Sequence, residues 1–431
     1  MRGDSIANMI FEFTGQILGE ALANFVMFSS PEAIVLFGGL TKAGNLLLNP
    51  TRKHMELNLL PIFQNKVKLL FSELQESDAA ILGASALAWE IFTNEEIARL
   101  QQLVVTDRSA KKQFSLWERA ATAALRDAPN PIDTITTEGR LQGDPKKVAT
   151  QNALADMKKM YAFALVYRVK NDTAYLQPAI NFLVAWAAKN HPNGDPIDET
   201  NLDPAFQCYD LIKEQVPPAY KILIEQWFQQ VAMAETKNRR PLVIANGRSN
   251  NWNSHRLKIE GEVAWCLNDE SLKKYVTENL ERHLAANLNA DSTSWDLIER
   301  DALHYHCYDL QPLTHLAIII QKNTGVDYYH HETSTGASIS KSLDYLIPFV
   351  TGERIHPEFV HSRVAFDAAR AKNNEPAYVA GNPFKPTEAL GVITVAAWYK
   401  PELPGLVQKL KNSTERFPDW QSVVNEITRI R

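Results

Sequence analysis

From about residue 95 to the C-terminus, the sequence consists of long segments with helical spacing and almost no convincing strand. Apolar residues three and four positions apart share one face of a helix, so each segment has a face to bury. Pro, Gly, Asn and Asp concentrate in the connections, for example at 128–133 and 190–201, and such residues end helices. The predicted helices lie at about 114–127, 148–169, 174–189, 204–214, 217–234, 251–267, 270–287, 309–323, 337–348 and Trp420 to Ile430.

This succession of helices predicts a mainly α fold. Short connections favour antiparallel helix pairs, and about nine such helices favour an incomplete α/α toroid, a barrel of antiparallel helix pairs. The sequence has no short internal repeat, so the toroid rests on the helix count alone. We assign residues 100–431 to this domain.

The first 90 residues differ in kind and predict a small α/β fragment, assigned to residues 1–92. Apolar residues from Ile6 to Phe25 have helical spacing, and the apolar run 34–37 ends at Gly38-Gly39. A short apolar run that stops at paired glycines is typical of a buried strand that meets a tight turn. A helix from about Thr41, a strand at 66–71 and an Ala-rich helix at 77–92 complete the predicted fragment.

Charge and composition limit the partners. Formal net charge is −5, which gives no global basic field for nucleic acid, so an anionic substrate must bind a local cluster. No run of 18 apolar residues is present, and we expect no membrane partner. The three widely spaced cysteines, Cys208, Cys266 and Cys307, predict buried thiols rather than a disulfide framework or a zinc site.

Two stretches carry candidate chemistry. In the stretch 246–256, Asn251 and His255 are four residues apart at the start of a predicted helix, so they share one face. In the stretch 295–313, five aromatic or imidazole rings fall within fourteen residues, interleaved with charges. The alternatives are a surface histidine in a helix cap and an aromatic seam between helices. Cations flank the first stretch at Lys237, Arg239, Arg240, Arg248, Arg256 and Lys258.

Together these stretches resemble the alginate lyase family of α/α-toroid polysaccharide lyases over about 115–370. Residues 305–313, YHCYDLQPL, are similar to the family's Tyr-His-x-Tyr-x-Leu-x-Pro-Leu motif. The Asn-Asn-His motif is altered, because Trp252 follows Asn250-Asn251 and the histidine is displaced to His255. The family's arginine position holds Asp301, with an arginine one residue earlier. Further similar segments are 137–139, 195–202 and 359–362.

The resemblance implies cleavage of a 4-linked uronic-acid polymer by β-elimination, with no metal or cofactor. Alginate or polymannuronate is the expected substrate. Proton abstraction at C5 requires donors that neutralise the adjacent carboxylate before reaction, and a tyrosine becomes a usable base beside positive groups. The expected catalytic residues are Tyr308 as base and acid, His255 and Arg300. The expected substrate-binding residues are Asn250, Asn251, Tyr305, His306 and Arg256, with Tyr305 as the reserve base.

Residues 1–90 resemble the C-terminal end of the ROK family of sugar kinases and repressors. The similar residues run from Gly3-Asp4 through the segments 18–24 and 30–40 to 79–84. The family's N-terminal half, with its phosphate loop, catalytic Asp and zinc-binding cysteines, has no counterpart here. The resemblance therefore implies a non-catalytic fragment, either a fusion or an artefact of gene prediction.

Other functions stay open at this point. A glucuronan lyase would use the same mechanism, and a toroid glycoside hydrolase would need two carboxylates at a defined separation. A sugar-binding regulator would need a DNA-binding motif or an intact sugar site. The N-terminus lacks the pattern of a secretory signal. We therefore expect a cytoplasmic chain, or a periplasmic one if the native start differs, as lyases of this kind are typically periplasmic or secreted.

Overall fold

The computed structural model describes residues 5–29, 31–36, 39–71, 92–238 and 248–429. The chain divides into two compact units, residues 1–87 and 88–431. The predicted helix at 77–92 lies outside the described residues except for Phe92, and so do Gly38, Arg239 and Arg240.

The first unit alternates helices and strands, as the sequence predicts. Strands β1 and β2 pair in parallel, with Ala33 opposite Lys68 and Leu36 opposite Phe71. A small apolar cluster that includes Val26 and Met55 holds the unit together. Its elements are α1 (Ser5–Ser29), β1 (Ala33–Leu36), a 3₁₀ turn (Gly39–Ala43), α2 (Asn45–Asn58) and β2 (Lys68–Phe71).

Among the described residues of the second unit, the regular secondary structure is helical, and β pairing is limited to isolated bridges. All ten helices predicted for this region are present, with shifted ends. Its helices are α3 (Asn94–Thr106), α4 (Arg108–Ala124), α5 (Pro145–Lys170), α6 (Leu176–Lys189), α7 (Pro196–Glu199), α8 (Asp203–Ile212), α9 (Pro218–Lys237), α10 (Asn251–Cys266), α11 (Glu270–Asn287), α12 (Trp295–Arg300), α13 (Leu303–Thr324), α14 (Ile339–Thr351), α15 (Ala365–Lys372), α16 (Leu390–Ala396), α17 (Leu403–Leu410) and α18 (Trp420–Thr428).

Polar residues start the helices that surround the site. Asp144 accepts from the backbone amides of Lys146 and Lys147 at the start of α5. Asn250 accepts from Trp252 N at the start of α10, and Ser294 caps α12 in the same way. These side chains satisfy amides that have no partner inside the helix. The first turn of each helix is thereby fixed by its own local sequence.

Helix α13 begins six residues earlier than predicted. Its first amides, on Leu303 and His304, donate to the carboxylate of Glu358 at 2.9 and 3.0 Å. A cap from a residue 55 positions away leaves no local signal in the sequence. As a result, the whole motif 305–313 lies inside the helix, whereas the predicted helix contains only residues 309–313 of it.

Helix α10 lies between the two apolar clusters of this unit. Ile259 and Val263 belong to one cluster, whereas Leu257 and Trp265 belong to the other. Every residue of the helix except Trp252 is buried. The helix therefore holds its first turn, which reaches the site, in a fixed position. Among the described helices, none combines the length and the hydropathy that a membrane crossing requires.

Candidate active site

Segments far apart in sequence meet around a cavity of about 450 Å³ in the second unit. One wall is the face of α5 that carries Gln151 and Leu154. Another wall is the start of α13 with Tyr305 and Tyr308. The first turn of α10, the end of α12 and helix α15 line the rest, together with residues of the 137–138 and 197–201 segments. The two stretches singled out in the sequence therefore face one space.

Tyr308 and His255 are in direct contact, with ring centroids 4.4 Å apart. Both also line a smaller chamber of about 160 Å³ next to the main cavity. Tyr308 is partly exposed, and its hydroxyl has no hydrogen-bond partner in the described part of the chain. Burial raises the pKa of Tyr308, and the nearby Arg370 opposes that rise. A reacting group in the cavity would therefore find the Tyr308 hydroxyl free.

His255 is buried, and its surroundings favour the neutral imidazole. Its Nδ1 lies 2.9 Å from the Thr200 hydroxyl, and its Nε2 is buried without a well-aligned hydrogen-bond partner. Burial and the positive charge of Lys258 hold the pKa of His255 well below its ordinary value. A buried polar atom without a partner is rare, so Nε2 is a natural contact for a ligand group.

Tyr305 lies between two guanidinium groups. The Arg300 guanidinium lies 3.9 Å from the centre of the Tyr305 ring, and Arg370 donates to Tyr305 Oη at 2.5 Å. Burial raises the pKa of Tyr305, whereas the two arginines lower it. The two cations give this side of the cavity the local positive charge that the whole chain lacks.

The position of Arg300 follows from a tight turn. Helix α12 ends at Asp301, whose φ of 50° is in the left-handed region, and α13 starts two residues later. Asp residues adopt this conformation more readily than most. Arg300 then forms an ion pair with Asp367 at 2.5 Å, which fixes its guanidinium beside Tyr305.

Asn250 and Asn251 have different roles in the structure. Asn250 is occupied as the cap of α10. Asn251 lines the cavity, and its backbone amide donates to Asp296 at 2.7 Å, while its side-chain amide donates to the same carboxylate. Burial raises the pKa of Asp296 well above its ordinary value, and Asp309 adds to that rise. The carboxylate fixes the orientation of the Asn251 amide at the cavity.

Three of the predicted site residues, Asn250, His306 and Arg256, line neither the main cavity nor the smaller chamber. Both ring nitrogens of His306 are occupied, by Ser294 at 2.8 Å and by the Ser342 carbonyl at 3.0 Å, and burial lowers the pKa of His306 to about 4. Arg256 is fully buried and pairs with Glu260 at 2.8 Å. Each is next in sequence to a cavity residue, but on a helix the neighbouring side chain points elsewhere.

The described members of the predicted cationic cluster, Lys237, Arg248, Arg256 and Lys258, do not line this cavity. Lys258, like Arg256, is buried, and it pairs with Asp203. Within the described part of the chain, the lysine and arginine residues that line the cavity are Lys147, Arg300 and Arg370. Arg370, on α15, also lies 4.5 Å from the Tyr378 ring. Neither Arg370 nor Tyr378 lies in a motif, so only the tertiary structure reveals them.

Comparison with known proteins matches these observations. Residues 103–356 match the family model described as alginate lyase. An alginate lyase from Bacteroides ovatus aligns over 79% of this chain and 99% of its own, with a TM-score of 0.58 and 17% identity. A variant of alginate lyase A1-III in complex with a tetrasaccharide aligns over 79% and 95%, with a TM-score of 0.52 and 15% identity. At these identities the likeness shows the fold, an α/α toroid.

The first unit has separate relatives. Residues 1–91 match the ROK family model. The segment is 33% identical over 89 residues to a glucokinase of Thermotoga maritima, covering 21% of this chain and 28% of that protein. It is 30% identical over 93 residues to the transcriptional regulator NagC of Escherichia coli, covering 22% of each. The chain thus spans about a quarter of the length of the curated relatives it matches.

The alginate lyase model covers more than half of the chain, including both motifs and most of the residues around the cavity. The chain therefore belongs to the alginate lyase family, and it is a polysaccharide lyase that carries a ROK-like fragment at its N-terminus.

Proposed function

We propose that this chain cleaves a 4-linked uronic-acid polymer by β-elimination, with alginate, and polymannuronate in particular, as the first substrate to test. The observation that carries the proposal is the contact between the Tyr308 and His255 rings, whose centroids lie 4.4 Å apart. This pair lies beside a cavity that is lined by arginine side chains. An acidic oligosaccharide is the partner that fits this charge. The tetrasaccharide bound to the A1-III variant supports an oligosaccharide as ligand of this fold.

The reaction requires two things of the cavity. A 4-linked uronate has an acidic hydrogen at C5, and its removal leaves a dianion unless donors neutralise the carboxylate. Asn251 and Arg300 lie on the cavity to supply such donors, and Arg370 adds a third. Tyr308 takes the C5 proton and then protonates the leaving O4.

The hydrogen bonds around Thr200 favour His255 as a neutral donor. Lys258 donates to the Thr200 hydroxyl oxygen at 2.7 Å, and His255 Nδ1 lies 2.9 Å from the same oxygen. The Thr200 hydroxyl therefore donates a hydrogen bond to Nδ1. The neutral His255 ring then carries its proton on Nε2. A neutral imidazole with its proton on Nε2 can donate to the substrate carboxylate.

Tyr308 is preferred to Tyr305 as the base because its hydroxyl is free. The Tyr305 hydroxyl already accepts from Arg370, and only 6% of the residue is exposed. Tyr305 instead orients the two guanidinium groups toward the substrate. Asn250, His306 and Arg256 contribute to the frame of the site rather than to direct contact.

A glycoside hydrolase is the weaker alternative. That reaction needs two carboxyl groups that flank the scissile bond. Among the described residues that line the main cavity, Glu138 alone carries a carboxylate. A glucuronan lyase is a closer alternative, since it differs in the substrate and not in the mechanism.

A panel of purified uronate polymers tests the proposal. Polymannuronate, polyguluronate, mixed alginate and glucuronan are each incubated with the protein, and a 4,5-unsaturated end is detected by its near-ultraviolet absorbance. We expect unsaturated product from polymannuronate, formed far more slowly by the Tyr308→Phe variant. Saturated products, or no cleavage of any uronate polymer, would contradict the proposal.

We also propose that residues 1–92 are non-catalytic and take no part in this mechanism. The residues around the main cavity lie between 137 and 378, within the second unit. The corresponding test is a truncation, described in the Discussion.

A further inference from the structure

A second cavity of about 540 Å³ adjoins the first, and helices α5 and α13 line both cavities. The two cavities share Leu154, Thr200 and Asn201. On α13, the lining residues run from Tyr308 in the first cavity to Ile319 in the second. At a rise of about 1.5 Å per residue, that face spans about 16 Å, which is long enough for several linked sugar rings.

The far end of this second cavity is aromatic. Trp117 on α4 lies 5.0 Å from Tyr161 on α5 and 6.2 Å from Trp420 on α18, measured between ring centroids. The Trp420 indole donates to the Tyr161 hydroxyl at 2.8 Å, which fixes both rings. Trp117 and Trp420 are both partly exposed. Three helices thus converge to present two indole rings to a space that is open to a ligand.

A cation lies beside these rings. The Lys158 ammonium is 5.7 Å from the centre of the Trp117 ring. Lys158 is exposed, and it has no carboxylate partner among the described residues. The other lysine of this cavity, Lys322, pairs with Glu96 at 2.9 Å. Lys158 is therefore the lysine here that is available to an incoming anion.

We propose that this aromatic chamber, formed by Trp117, Lys158, Tyr161 and Trp420, is a distal subsite for a uronate ring several units from the scissile bond. The inference rests on the proposed function and deepens it. A pyranose ring has an apolar face of C–H groups, which packs on an indole ring and removes apolar surface from water. Its carboxylate lies at the ring edge, where Lys158 supplies the opposite charge.

Substrate length then decides whether the aromatic chamber contributes to binding. A short oligomer fills only the cavity at Tyr308, whereas a longer one reaches the indole rings. Since the chamber lies away from the reacting atoms, it changes KM and leaves kcat for short oligomers unaffected.

The test measures KM and kcat against oligouronates of increasing length for wild type, Lys158→Ala and Trp117→Leu. We expect Lys158→Ala to raise KM about fivefold for oligomers that reach the chamber, the size of one partly exposed ionic contact, and to leave the shortest cleavable oligomer unchanged. Trp117→Leu should raise KM for long oligomers about tenfold. Lys111→Ala, an exposed lysine on α4, removes the same charge elsewhere and should match wild type.

The outcomes separate this inference from the proposed function. If wild type cleaves uronate oligomers and Lys158→Ala has the same KM at every length, the distal subsite is wrong and the function stands. If wild type cleaves no uronate, both fail. Should Trp117→Leu lose stability, its thermal unfolding would reveal that, and the exposed Lys158 variant decides alone.

Discussion

At the scale of single residues, two tyrosines one turn apart on α13 differ in whether their hydroxyl groups are hydrogen-bonded. Tyr305 and Tyr308 are three residues apart, and their rings are 6.3 Å apart. Tyr305 is bound by Arg370, whereas the Tyr308 hydroxyl faces the cavity without a partner among the described residues. The sequence identifies both rings, but only the contacts show which hydroxyl is free.

Replacing these tyrosines tests that difference. Tyr308→Phe removes the hydroxyl that transfers the proton, so kcat should fall by about 10²–10⁴-fold while substrate binding persists. Tyr305→Phe is the matched control, and it should lower kcat much less because it loses one contact to Arg370. Steady-state kinetics measures kcat, and calorimetry measures binding. Near wild-type turnover in Tyr308→Phe would disprove its role and move the assignment to Tyr305.

The residues that donate hydrogen bonds to the substrate carboxylate are tested separately. His255→Ala and Asn251→Ala should each lower kcat by about 10²–10³-fold, as for preorganised donors to a developing anion. Asn253→Ala serves as a comparison, because Asn253 is equally buried on α10 but contacts Arg256 and does not line the cavity. Equal losses in all three variants would indicate damage to the helix rather than the loss of donors.

The dependence of activity on pH follows from the same groups. Because burial raises the pKa of Tyr308, its phenolate is scarce at neutral pH and increases about tenfold per pH unit below that pKa. We expect log kcat/KM to rise with pH above neutrality. The pKa of His255 is held well below its ordinary value, so no inflection should appear near pH 6.5. An inflection there that is lost in His255→Gln would show that protonated histidine takes part.

At the scale of secondary structure, the loop before α7 is the element most sensitive to a small change. Gly194 has φ of 76°, and a Cβ at this position would lie 2.5 Å from the Ala234 carbonyl oxygen. This loop leads into the segment that carries Thr200 and Asn201 to the cavity. Both the backbone conformation and the close contact with α9 therefore require glycine.

Gly194→Ala should lower both stability and activity. Gly325, with φ of 75° and no atom within 4 Å of the position that a Cβ would occupy, is the control. Gly325→Ala should lower the free energy of unfolding by about 1 kcal/mol, because it adds only the penalty of the left-handed conformation. Gly194→Ala should lower the free energy of unfolding by at least about 2 kcal/mol more than Gly325→Ala, because the added Cβ also overpacks against the backbone of Ala234. Denaturant unfolding measures both, and equal costs would contradict the close contact with Ala234.

The helices themselves could largely be predicted from the sequence, and the wall of the cavity could not. Periodicity and polar caps locate α5, α9 and α10 to within a few residues, because those signals are local. The early start of α13 depends on Glu358, and the cation of α15 depends on tertiary contacts. The motifs in the sequence place His306 and Arg256 next to cavity residues, but a helix distributes neighbours over different faces, and neither side chain lines the cavity.

At the scale of the whole molecule, deletion of residues 1–87 should leave lyase activity and substrate preference largely unchanged. The second unit has its own apolar clusters and the residues around the cavity. It begins before α3, because Phe92 is buried in its core and its amide donates to Asp210 at 3.0 Å. Kinetics of the truncated protein provides the measurement. A large loss of activity in a folded truncated protein would show that the first unit belongs to the enzyme.

Limited proteolysis of the full chain is the complementary measurement. A stable fragment should begin before Phe92. Helix α1 has an exposed apolar stripe, and exposed apolar patches favour association. Full-length protein should therefore associate at lower concentration than the truncated form in sedimentation experiments. The stripe consists of Met9, Ile10, Phe13, Ile17 and Phe25.

Because α10 is buried on nearly all sides, it restricts how this protein can evolve. A helix with a solvent face accepts many substitutions there, but α10 has no such face apart from Trp252. Most mutations in it disturb packing or leave a buried charge unpaired. New substrate preferences should therefore arise in α15 and the segment around Thr137, which border the cavity and, unlike α10, consist mostly of half-buried or exposed residues. A laboratory selection for altered specificity would do best to randomise those segments and leave α10 intact.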